Sequence, residues 1–218
     1  MAKINGPLLS LGGGGQVGKT VVFSSWKGIK YARQYVVPAN PRTTAQQANR
    51  TRFAFLREMF KLAPSEIRDP FAAFVQGRPL TPDNKFVGEN NRLLVGQTSL
   101  ATANMSPGAK GGLPAASVSA VAGSLSGEID VTVVPPNQLP VGWSVVECAA
   151  AAVVDQDPVG IFSGPFVAGT DATDPYVITL AGLGSATDCM CWGWVVYEKP
   201  DGSLAYSVSL SDAATSAA

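Results

Sequence analysis

A chain of 218 residues can bury one large core or two small ones, and 46% apolar residues with a slightly positive mean hydropathy exclude a disordered polymer. Only 15% of residues are charged, low for a free monomer, which points to surface covered by partners. There is no His, which excludes Ser-His-Asp and Cys-His chemistry. The three cysteines, Cys148, Cys189 and Cys191, are too few for a disulfide framework or a four-Cys zinc site.

No apolar run approaches the roughly 20 residues of a membrane span. Leu8 to Leu11 is too short for the apolar region of a signal peptide. The expectation is a chain made and folded in a cytoplasm, with no membrane partner. Net charge is zero, but residues 1–110 carry fifteen basic and five acidic residues, net +10, and residues 111–218 carry Lys199 against eleven acids, net −10. Such asymmetry suits two parts with different neighbours, or copies that pack plus to minus.

Gly13-Gly14-Gly15-Gln16-Val17-Gly18-Lys19-Thr20 matches the phosphate-loop pattern G-x-x-x-x-G-K-[ST] letter for letter. A working loop needs a buried strand before it and a helix N-terminus at Thr20. Lys3 to Leu11 instead contains Gly6 and Pro7, and Val21-Val22-Phe23 after Thr20 is β-branched and aromatic. Residues 1–19 therefore read as an extended glycine-rich arm, with a nucleotide-binding enzyme built on Gly13 to Thr20 as the alternative. No catalytic residue, cofactor or metal ligand is assigned. Asp155/Asp157 and Asp171/Asp174 read as turn-forming carboxylates rather than a calcium loop.

Val21 to Trp26 and Ile29 to Val37 read as strands joined at Lys27-Gly28, a β-hairpin that Pro38 and Pro41 end. Thr43 or Thr44 caps a first helix running to Phe60, with Ala45, Ala48, Arg52, Phe55, Leu56, Met59 and Phe60 on one face and Phe53 off it. A second helix starts at Pro64-Ser65. A third follows the cap Thr81-Pro82, with Phe86, Val87, Asn90, Leu93 and Leu94 inward. Ser, Thr, Ala, Gly and Pro dominate Ser99 to Ala116, where no periodicity survives. Short strands follow at Ser117–Val121, Glu128–Val134, Trp143–Val154, Gly160–Val167, Tyr176–Leu180, Asp188–Glu198 and Ala205–Leu210. That number and spacing predict an antiparallel sandwich.

The expected fold class is α+β: an N-terminal β-hairpin with about three short helices, then a C-terminal all-β sandwich. The expected division is an arm at 1–19, a basic anchoring domain at 20–96, a linker at 97–116 and the sandwich at 117–212. Lys19, Trp26, Lys27, Arg33, Arg42, Arg50 and Arg52 are the candidate anchoring residues. Trp192 and Trp194 alternate with Cys189, Met190 and Cys191 in a strand apolar on both sides, which is either buried on both faces or an interface. The cysteines are expected as free buried thiols.

Two resemblances add to this reading. Pro114-Ala115-Ala116-Ser117-Val118, Ile129-Asp130-Val131-Thr132-Val133 and Leu183-x-x-x-Thr187-x-Cys189-x-Cys191 resemble the strands and corner of a fibronectin type III or Ig-like module, with Cys189 where the corner's Tyr usually stands. Over residues 15–95, the runs Val17-Gly18-Lys19-Thr20-Val21-Val22-Phe23, Trp26-Lys27-Gly28, Tyr31-x-Arg33-x-Tyr35, Pro38-x-Asn40-Pro41-Arg42-Thr43 and Gly77-Arg78-Pro79-Leu80-Thr81 with Asn84-x-Phe86 resemble small structural proteins of tailed bacteriophages. This second resemblance implies a non-enzymatic virion protein, a head decoration or cement protein in many copies. Its implied partners are the major capsid protein, other virion proteins and further copies of itself; nucleic acid is not favoured as a partner. A neck or tail component and an Ig-like adhesion accessory are the other implied roles.

Overall fold

In a computed structural model, the structure describes residues 3–4, 13–27, 29–37, 39–40, 42–108, 113, 115, 117–163 and 165–218. Most of the first twelve residues, Gly28, Pro38, Pro41, Gly111-Gly112, Pro114, Ala116 and Gly164, on which parts of the sequence reading fall, lie outside them. The fold is α+β, and the chain divides into two compact units: residues 1–43 with 77–80, and residues 44–76 with 81–218.

The first unit is a four-stranded antiparallel sheet, β1 (Lys3–Ile4), β2 (Gly13–Val17), β3 (Val21–Trp26) and β4 (Ile29–Gln34), in chain order. Gly13–Val17 is thus not a free arm but a strand paired on both edges, with β1 and with β3. The sharp return at Val17-Gly18-Lys19-Thr20 has φ of 56° at Gly18 and 55° at Lys19, the left-handed pair that tight hairpin turns require. The Thr20 N–H closes the turn on the Val17 carbonyl at 3.0 Å. Lys27 Nζ donates to the Leu80 carbonyl, which ties residues 77–80 to this sheet.

The second unit opens with three helices. Helix α1 spans Thr44–Leu62, α2 spans Ser65–Val75 and α3 spans Pro82–Leu93. Thr81 caps α3: its hydroxyl oxygen accepts the Asn84 N–H at 3.4 Å, and Pro82 occupies a first-turn position whose N–H would have no partner anyway. The apolar faces meet in a knot of Phe60, Phe71 and Phe86, with ring centroids 5.0 to 5.9 Å apart. Arg52 and Asn90 join those buried faces, whereas Leu93 stays exposed.

Eight strands follow. Strands β5 (Ser117–Ala122), β6 (Ile129–Val134) and β9 (Val177–Leu180) form a three-stranded sheet. A five-stranded sheet runs β11 (Leu204–Tyr206), β10 (Asp188–Glu198), β7 (Ser144–Val154), β8 (Phe166–Asp171), with β12 (Leu210–Thr215) also on β10. The strand expected at 160–167 lies instead at Phe166–Asp171, because Phe162 is drawn into the core against Phe55, centroids 5.4 Å apart. The strand expected at 205–210 is two strands sharing one edge of β10. Ser207 spans the gap between them, exchanging its N–H and hydroxyl with the Val195 carbonyl and N–H at 2.9 Å each.

These elements stack in three layers. Met190, Trp192 and Trp194 of β10, with Ala149, Ala151 and Val153 of β7, pack against the helices. Cys189, Cys191, Val195 and Tyr197, with Cys148, Ala150 and Ala152, pack against Ile129, Val131, Val133, Ile178 and Leu180 of the three-stranded sheet. Opposite the two Trp residues the register places Ala151 and Ala149, so large side chains stand beside small ones. The helices therefore share a core with the strands rather than with β3 and β4, and the expected division at 97–116 does not separate them. Leu100, Ala103, Met105 and Ser106 within that stretch are buried. The Asn104 N–H donates to Asn90 Oδ1 at 2.6 Å, Met105 N–H to Ser209 Oγ at 2.9 Å, and Ser106 Oγ to the Ser207 carbonyl at 2.6 Å. Residues 103–108 are a packed strap rather than a solvated linker. Among the described residues, no helix is long and apolar enough to cross a membrane.

Gly193 of β10 faces the three-stranded sheet at close range. A Cβ there would lie 2.6 Å from Val133 Cγ2 and 2.9 Å from Val118 Cγ2. Gly193→Ala should therefore cost about 1–3 kcal/mol by overpacking, read as a lowered urea midpoint at unchanged slope. An unchanged midpoint would show that the layers are looser than this contact implies.

Candidate interaction surface

In the first unit, no described side chain of β2, β3 or β4 is buried. An antiparallel sheet ordinarily hides one face; here both are open. Register puts Trp26 across from Ile29, Ser24 from Tyr31 and Val22 from Arg33, so Trp26, Ile29, Tyr31 and Arg33 share one face. Trp26 is 43% exposed, Ile29 51% and Tyr31 42%, and Val36 and Val37 beyond the strand are more exposed still. Residues 1–43 hold six basic residues and no acidic one. The surface is apolar, aromatic and cationic together, the composition of an interface core with Arg on it.

The structure places the sequence candidates in three groups. Lys19, Trp26, Lys27, Arg33 and Arg42 are exposed in the first unit. Lys27 is engaged by the Leu80 carbonyl and lies 5.8 Å from the Trp26 ring centroid, so it steadies its own turn. Arg50 is exposed on α1. Arg52, Trp192 and Trp194 are not surface residues, which corrects their reading as anchoring or interface groups. Arg52 is 7% exposed, and its guanidinium donates to Asn91 Oδ1 at 3.0 Å and to the Leu94 carbonyl at 3.4 Å. It pins α1 to the end of α3. Both Trp side chains are fully buried, and Trp192 Nε1 donates to the Ala103 carbonyl at 2.9 Å.

The glycine-lysine stretch has strands where a phosphate loop needs a helix. Thr20 leads into β3, and its hydroxyl donates to the Gly18 carbonyl at 3.1 Å, within its own turn. The backbone N–H groups of β2 and β3 are directed along a ladder rather than around an anion. Asp157 and Asp171 close local turns as expected, whereas Asp155 makes a long-range contact. Asp155 Oδ1 accepts the Leu100 N–H, Asp157 Oδ1 the Val159 N–H and Asp171 Oδ1 the Thr173 N–H, all at 2.9 to 3.0 Å. Among the described residues, no group of His, Cys, Asp and Glu is placed to hold a metal ion.

The three cysteines are free and buried. Burial, reinforced by Asp171, Glu147 and Asp174, pushes the Cys148 thiol up to about 12, and burial beside Cys189 and Asp212 does the same to Cys191. Burial next to Cys148 also raises the Tyr197 phenol to about 12. These groups stay protonated in the fold at a pH where the unfolded chain ionises.

One constellation has no linear signature. Glu66 and Asp69 of α2 and Glu147 of β7 line a common pocket although about eighty residues separate them. Glu66 and Asp69 lie in the net-basic first half of the chain and only Glu147 in the acidic second half, so charge distribution gave no hint of it. A scan against protein-family models and a search of curated proteins found no match to the chain.

Two outcomes are expected. A thiol reagent at pH 8 should leave all three cysteines untouched until denaturant is added. Because their native pKa values lie above the usual 9.0, the stability present below pH 9 should fall as pH rises toward 12, read as a declining urea midpoint. Native labelling at the unfolded rate would contradict this burial. Separately, filter binding with ATP or GTP should show no retention by the wild type and no change in Lys19→Ala. Retention that this substitution abolishes would restore the nucleotide reading.

Proposed function

We propose that the chain is a non-enzymatic structural protein of a tailed-phage virion, acting as a head decoration or cement protein that bridges major capsid subunits. The observation that carries this reading is the first unit: a sheet with aromatic, aliphatic and basic side chains open on both faces and no buried side chain among those described. A sheet without a core of its own needs a hydrophobic neighbour to be stable. A shell of repeated subunits supplies one, so that ordering the sheet and cementing the shell are a single event.

The second unit is the body that this sheet attaches. We read β5, β6 and β9 as strands A, B and E of an Ig-like sandwich, and β7, β10 and the split β11/β12 as C, F and G, with β8 as a further strand beside β7. Trp143, half-buried just before β7, meets Tyr197 of β10 edge-on, with centroids 6.0 Å apart. The helices cover one outer face of that body.

Mass spectrometry of purified particles, quantified against the major capsid protein, tests the reading. Decoration requires copies in the hundreds. About six or twelve copies, the stoichiometry of a ring with cyclic symmetry, would move the protein to the neck or tail. Absence from particles would overturn the virion role.

A further inference from the structure

The three-stranded sheet of the second unit also has an open face. Its strands turn Ile129, Val131, Val133, Ile178 and Leu180 into the core, and register puts the alternate residues on the outer side. Val121, Val134 and Val177 are exposed there, with small Ser and Thr side chains between them. Asp130 is the single charged residue of β5, β6 and β9 and lies on that outer side. Its Oδ1 accepts the Thr179 hydroxyl at 2.6 Å, which holds the carboxylate on the face.

The first unit carries the counterpart. On one face of β3 and β4, Val22, Trp26, Ile29 and Tyr31 supply apolar bulk, and Arg33 is the single charged side chain among them. The two faces fit in shape: Trp26 and Tyr31 are large where the other face has Val, Ser and Thr, the same pairing of large with small that fits β10 to β7. They fit in charge as well, one guanidinium against one carboxylate. Neither Arg33 nor Asp130 forms a salt bridge among the described residues. The wider field selects the same match. Residues 1–43 hold six basic residues and no acidic one, whereas from residue 111 onward Lys199 stands against eleven acids. Sheet therefore repels sheet and sandwich repels sandwich, while sheet attracts sandwich.

We propose that the Trp26-Tyr31 face of one copy packs on the outer face of β5, β6 and β9 of a second copy, with Arg33 set against Asp130. The contact is heterologous, so copies join head to tail in rings or chains unless two of them exchange sheets and close as a pair. It rests on the reading of the protein as a multi-copy assembly component. The shell is left the opposite face of the sheet, where Phe23 and Lys30 lie, and the copies seated on that shell are joined to one another.

Full-length charge-swap variants test it. In sedimentation velocity, Arg33→Asp alone and Asp130→Arg alone should each weaken self-association at least about tenfold, because each sets like charges face to face. The double variant should recover association, and so should an equimolar mixture of the two single variants, since both restore an opposite pair. Recovery by swapping separates this contact from a simple loss of fold. On dilution of the wild type, the Trp26 indole N–H resonance, assigned by Trp26→Phe, should shift while those of the buried Trp192 and Trp194 stay. A wild type that is monomeric at every concentration, a double variant that associates no better than its parents, or a Trp26 resonance indifferent to dilution would each overturn the proposal. Hundreds of copies in particles beside a monomer in solution would remove this contact and leave the virion reading standing. Association of a chain that particles lack would do the reverse.

Discussion

Strand β10 has no solvent side. Its even-numbered residues Met190, Trp192 and Trp194 enter the helical layer, and its odd-numbered residues Cys189, Cys191, Val195 and Tyr197 enter the second sheet. Every other element of the second unit is placed by what this strand must hide. The helices exist as a layer because the two indoles need cover. The Ala149 to Ala152 run exists because bulk on β10 demands small partners on β7. Gly193 interrupts the bulk where Val118 and Val133 of the opposing sheet leave no room for a Cβ. Burying a large apolar side chain contributes about 1.5–3 kcal/mol, so this one strand accounts for a substantial part of what a domain has to spare.

Much of this was legible in the chain, and the reasons are local. Thr81-Pro82 announces a helix start because capping chemistry is decided within four residues. The alternation of Cys and Trp from 189 to 194 announces a strand apolar on both sides. What covers each side was not legible, because a side chain's period says which way it points and not what it meets. The stretch 97–116 failed for the same reason. Asn104 and Ser106 look like solvated loop residues until Asn90, Ser207 and Ser209 arrive from distant positions to satisfy them. Strand β12 was hidden by its composition, Leu-Ser-Asp-Ala-Ala-Thr, whose weak β preference is overridden by pairing with β10.

The surface residues divide along a similar line. Lys19, Trp26 and Arg33 could be singled out because a hairpin exposes its turns and alternates its faces. Arg52 could not be told from its neighbours on α1, since a buried arginine differs from an exposed one only in its acceptors, here Asn91 and the Leu94 carbonyl. The phosphate-loop lettering shows the converse error. Left-handed Gly18 and Lys19 serve a hairpin turn as readily as an anion cradle, so the letters coincide and the geometry differs. The carboxylates of Glu66, Asp69 and Glu147 carry no spacing at all and meet in one pocket only through the three-layer stack.

Sharing one core between helices and sheets changes which piece of the chain is portable. A module that owned its whole core could be lost, duplicated or moved between proteins as the stretch from about residue 113 onward. This one could not, for that stretch alone would carry Met190, Trp192 and Trp194 uncovered on an open sheet. The inheritable block is residues 44–76 with 81–218, helices included. The four-stranded sheet and residues 77–80 form the separate unit outside that block.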